Sequence, residues 1–66
     1  MKVLIKRREE DSYLVRVGLW SETVEEARDF RSLLAVLDFR REHRLEKVDA
    51  FFLFEDPQYN FVLKMG

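Results

Sequence analysis

The chain has 66 residues, a formal net charge of −1, 47% hydrophobic and 38% charged residues, and no cysteine. A chain of this size holds one domain, residues 1–66, near the lower limit of what folds without a staple. The absence of Cys excludes disulfides and thiolate chemistry, and the near-zero net charge excludes a global field that would draw in nucleic acid or an anionic membrane.

"KVLIKRREEDSYLVRVGLW" reads as two strands around a charged turn. Val3, Ile5 and Arg7 share one phase of the first strand, and Tyr13, Val15, Val17 and Leu19 share the apolar phase of the second. The charged "REED" and Ser12 mark the reversal, so the pair is a hairpin. "SETVEEARDFRSLLAVLDFRREHRLE" follows as a helix of about 20 residues. Thr23 stands three residues before Glu26, the spacing of a capping box, with Ser21 as the alternative cap. Arg40, Arg41 and Arg44 suit the negative end of the helix dipole, and the stop is placed between Phe39 and Leu45 although no Gly or Pro marks it.

On a helical wheel Ala27, Phe30, Leu34, Leu37 and Leu45 form the stripe that should face a sheet, leaving Val36 and Phe39 on the other side. Every charged i,i+4 pair is like-signed: Glu22 with Glu26, Glu25 with Asp29, Asp38 with Glu42, Arg40 with Arg44, and Glu42 with Glu46. Each weakens an isolated helix, which points to a natural sequence whose charges answer to tertiary or partner contacts.

"KVDAFFLFEDPQYNFVLKMG" is a second hairpin, with "EDPQ" as its turn. Val48, Ala50, Phe52 and Phe54 share a phase of its first strand, and Tyr59, Phe61, Leu63 and Met65 a phase of its second. The predicted fold is α+β, a two-layer ββαββ sandwich with one helix on a four-stranded antiparallel sheet. Strand order 2-1-3-4 makes every neighbour antiparallel and puts the most apolar strands in the middle; order 1-2-3-4 is the alternative.

One helix covers one sheet face, so the other phase should be polar. Here its predicted centre is apolar, with Leu4, Leu14, Trp20, Phe51, Leu53 and Val62, and Lys6 and Arg16 lie at the rim. That composition marks an interaction surface. The expected occupant is a protein partner or a second copy of the chain, docking on the open face or, for a second copy, along the edge strands. The alternative is single-stranded nucleic acid, with Trp20 and Phe51 stacking on bases and Lys2, Lys6, Arg8, Arg16 and Lys64 holding phosphates.

Catalytic and ligand chemistry finds no footing in the sequence. His43 has no second imidazole or thiol to share a metal, Ser12, Ser21 and Ser32 have no base nearby, and two glycines make no phosphate loop. The expectation is a protein that is no enzyme, with no cofactor, no metal and no small-molecule substrate. The longest apolar runs, residues 33–37 and 50–54, fall far short of the roughly 20 residues of a membrane span. No signal peptide is legible at the start, so a cytoplasmic location is expected.

The first hairpin leading into "SETVEEA" resembles the start of HicB-like antitoxin domains, where a hairpin runs into a helix that opens with Thr and paired Glu. The resemblance spans barely a third of the chain and carries over no residue. Inhibitors, adaptors and small subunits, phage-encoded ones included, share this kind of compact architecture.

Overall fold

The apolar run Val3–Ile5, flanked by charged residues within Lys2–Arg7, produces the strand around which the rest assembles. The computed structural model describes residues 1–65, so Gly66, the last residue of the predicted domain, lies outside the described residues. Strand β1 (Lys2–Arg7) is followed by β2 (Tyr13–Arg16), β3 (Leu19–Ser21), helix α1 (Leu33–Glu42), β4 (Val48–Leu53) and β5 (Phe61–Lys64). All five strands form one antiparallel sheet in the order β3-β2-β1-β4-β5. The four predicted strands take the predicted 2-1-3-4 arrangement, and β3 is an additional edge strand.

The extra strand arises because the predicted second strand is broken. Gly18 adopts φ 85°, which only a residue without Cβ takes readily, and the chain folds back so that Trp20 lies opposite Leu14. Pairing also corrects the phase. Tyr13 stands opposite Lys6, and Leu14 is fully buried in the core while Tyr13 and Val15 are only half-buried. A register shift of one residue sends every side chain of a strand to the other face. Leu14 and Trp20 therefore join the helix side, opposite to the sequence-based assignment.

The helix is shorter than predicted and starts later. Thr23 caps only a 3-10 turn, Val24–Glu26, and makes no side-chain cap bond there. The true cap is Ser32, whose Oγ accepts from the Ala35 N–H at 3.1 Å. Residues 27–31 are not helical and act as a wedge: the Arg28 N–H donates to the Leu14 carbonyl at 2.9 Å and the Phe30 N–H to the Val3 carbonyl at 2.8 Å. Asp29 Oδ1 accepts from the Val3 N–H and, at 2.8 Å, from the Arg31 N–H. That side-chain turn holds Arg31 at φ 67° and redirects the chain into α1. Backbone groups of β1 and β2 thus claim a segment whose like-signed Glu25 and Asp29 already disfavour helix.

The later start rotates the buried stripe. Val36 is fully buried, with Leu33 and Phe39 packed against the core, whereas Leu34 and Leu37 are 68% and 39% exposed. Phe39 sets this orientation by meeting Phe30 of the wedge edge-on at 5.0 Å. The stop falls inside the predicted window. Arg44, at φ 52°, donates to the Arg41 carbonyl and Leu45 to the Arg40 carbonyl, which is a Schellman ending built without glycine. The core is Val3, Ile5, Leu14, Phe30, Val36, Val48, Ala50 and Met65.

Candidate interaction surface

The face of the sheet away from α1 is set by register. Leu4 lies opposite Phe51, Lys6 opposite Asp49, and Phe51 opposite Val62. Side chains of directly opposite residues share a face, so Leu4, Lys6, Phe51, Leu53 and Val62 stand together as predicted. Leu14 and Trp20 do not: Leu14 is in the core, and Trp20 lies on the helix side under the Arg7 guanidinium at 4.1 Å. The irregularity after Leu14 brings Arg16 across from Leu19, away from Trp20, and leaves it exposed.

The centre of this open face covers itself. Leu4 is fully buried, opposite Phe51, whose ring lies 5.5 Å from that of Tyr13. The Lys6 side chain is only 18% exposed, and its ammonium pairs with Asp11 at 3.2 Å. Phe51 and Leu53 are half-buried.

Asp49 closes the lower end. Its Oδ1 accepts from Arg8 Nη2 at 2.6 Å and from the Met65 N–H at 3.1 Å, and its Oδ2 accepts from Arg8 Nε. Arg8 Nη2 also donates to the Met65 carbonyl. The hydrogen bonds from Arg8, aided by the Met65 N–H, hold the Asp49 carboxyl below its ordinary range although burial opposes this. Burial likewise pushes Asp29 up, but the Val3 and Arg31 N–H groups outweigh it and the net direction is down.

The uncovered apolar surface lies instead at the β5 edge, a site only partly visible in the sequence. Phe61, Val62 and Leu63 are 49%, 44% and 41% exposed, and Tyr59 of the preceding turn is exposed as well. Phe61 and Leu63 point to the helix side, opposite Phe52 and Ala50, and Val62 points to the open side. Helix α1 packs mainly on β1 and does not shelter them. Phe61 stacks on Phe52 at 4.5 Å, and Phe54 packs beside both Phe61 and Tyr59, so the exposed rings of Phe61 and Tyr59 belong to one connected aromatic cluster.

Backbone direction completes the geometry. The Arg8 N–H donates to the Lys47 carbonyl, so Lys6, Leu4 and Lys2 turn their backbone groups toward β4 and the alternate residues turn away. In β4 the same alternation aims Ala50 and Phe52 at β5, where Leu63 and Phe61 meet them. Val62 and Lys64 are left with N–H and C=O groups pointing out of the sheet edge.

The helix end carries a second feature, a hollow of about 540 Å³ lined by Leu37, Arg40, Arg41, Arg44, Leu45 and Glu46. Among the described residues no group of three potential metal ligands occurs, and no helix is long and apolar enough to cross a membrane. No protein-family model matches the chain, and neither a curated protein nor a solved structure matches it.

Proposed function

We propose that the chain is a small non-catalytic protein-binding module whose contact surface is β5 and the bordering part of the open face, Phe51 and Leu53. The observation that carries this reading is a strand apolar in both phases placed at a sheet edge, with Phe61, Val62 and Leu63 all exposed. Such composition belongs to a strand whose two faces are both covered, and here neither face of β5 is. A free edge recognises an added strand through its main chain, while alternate side chains choose the sequence.

The nucleic-acid alternative has less support. Trp20 lies on the helix side against Arg7, Arg8 is engaged by Asp49, and Lys6 by Asp11. Those are one of the two stacking rings and two of the five basic groups it needs.

The test is selection of extended peptides from a displayed library on the wild-type protein, with binding then measured on Val62→Pro. The Val62 N–H points outward, so proline removes an edge donor without breaking the ladder to β4. Binders that lose affinity on Val62→Pro support the reading. Absence of strand-like binders, or binders indifferent to the substitution, overturns it.

A further inference from the structure

We infer that the strand completing the β5 edge is β5 of a second copy, paired antiparallel about a two-fold axis normal to the sheet. This rests on the reading of β5 as the contact surface and names its occupant. Antiparallel edge pairing about such an axis keeps both helices on the same side and puts one residue of β5 opposite itself. The outward backbone groups of Val62 make it that residue, because an outward N–H and C=O can be exchanged with their own counterparts.

In this register the side chains match. Val62 meets Val62 of the second copy on the open face, next to Phe51 of each copy. Leu63 meets Phe61 of the second copy twice over on the helix side, an aromatic–aliphatic pair of the kind that stabilises strand contacts. Lys64 meets the uncharged Asn60, so no like charges stand opposite each other. Charge favours the same arrangement. Glu55 and Asp56 precede β5 and Lys64 ends it, so antiparallel strands put each basic end beside the other copy's acidic turn, and parallel ones would put like beside like. The interface uses up the β5 edge of both chains and therefore stops at two. It also adds apolar contact to a domain with only nine buried apolar residues among those described.

The chain has no Cys, so a single introduced thiol reports on geometry without competition. Paired Val62 Cα atoms would lie about 5.5 Å apart, within disulfide range. Under mild oxidation Val62→Cys should give a covalent dimer, whereas Leu63→Cys, opposite Phe61 in this register, should not. In sedimentation, Val62→Glu and Val62→Lys should each weaken self-association by roughly tenfold or more, and an equimolar mixture should restore the dimer. That rescue separates loss of pairing from loss of folding.

A dimer that cross-links through Leu63→Cys and not Val62→Cys overturns the register. A dimer unaffected by both charge variants overturns the β5 edge as its interface. A monomer that still binds selected peptides through Val62 overturns the second copy as occupant but leaves β5 as the contact surface. A monomer with no such binders overturns both readings.

Discussion

Arg8 and Asp49, 41 residues apart in sequence, are joined by hydrogen bonds of 2.6 and 3.2 Å. The pair ties the end of β1 to the start of β4, and the Met65 backbone on the same carboxylate ties in the end of β5. Three neighbouring strands, β1, β4 and the edge strand β5, are thereby locked at one end by a single buried acid.

Stability should decline in acid because of this arrangement. Asp49 and Asp29 both have carboxyl groups depressed below their unfolded values. A depressed acid contributes stability that is complete above the unfolded pKa of about 3.9 and is lost as pH falls through the folded value. Urea midpoints measured from pH 6 to pH 2 should be level down to about pH 4 and then drop. In Asp49→Asn the midpoint at pH 6 should be lower and the acid slope shallower; an unchanged slope would refute the role of Asp49.

The Asp29 anchor predicts a separate loss. Asp29→Ala leaves the Val3 N–H without its acceptor at a half-buried position, which should cost about 1–2 kcal/mol in urea unfolding. Native-state hydrogen exchange should show the Val3 amide losing protection ahead of those facing β4. Uniform loss across β1 would contradict the wedge.

Two caps should respond unequally. Ser32→Ala removes the oxygen bonded to the Ala35 N–H and should destabilise by about 1 kcal/mol. Thr23→Ala removes no cap bond, so its unfolding midpoint should stay close to that of the wild type. Equal effects would place the helix start where the sequence pattern puts it.

Arg44→Gly should stabilise the protein. Arg44 holds a left-handed conformation at the helix end that costs an L-residue about 1 kcal/mol and glycine little. Part of that gain is offset by the greater freedom of glycine in the unfolded chain, so a net rise of about 0.5 kcal/mol in unfolding free energy is expected.

The phase of β2 can be read by truncation. Leu14→Ala should cost about 2–5 kcal/mol and unfold much of the population near room temperature, because Leu14 is fully buried. Val17→Ala, at an exposed turn position, should shift the thermal midpoint little. The opposite ranking would restore the phase read from the sequence.

Short apolar runs bounded by charged and turn residues made β1, β4 and β5 legible from residues alone, and their apolar content placed β1 and β4 centrally. The second strand was misread because Tyr13, Leu14, Val15 and Val17 are apolar in both phases, and only pairing of Tyr13 with Lys6 selects one. The early helix start failed for another reason. Thr23 and Glu26 carry a generic capping spacing, while the like-charged pair Glu25 and Asp29, read from the sequence only as a sign of tertiary or partner contacts, disfavours helix at that place. Of the eight residues assigned to the open surface, Leu14 and Trp20 moved to the helix side, and Leu4 became inaccessible under its neighbours. The exposure of Phe61 and Leu63 was not foreseeable, because it depends on where α1 sits across the sheet.

The sequence by itself determined an α+β chain without disulfides, with two hairpins flanking one helix and more apolar strand surface than one helix covers. Its means are local: side-chain period, turn residues and composition act within a few positions. Tertiary structure decided which phase of β2 is buried, where α1 begins, and that the unspent apolar surface lies at the β5 edge. Those outcomes depend on long-range backbone pairing, Arg28 with Leu14 and Phe30 with Val3, which bends residues 27–31 out of the helix. With α1 thus shortened and seated mainly on β1, no described element shelters the outer edge of β5.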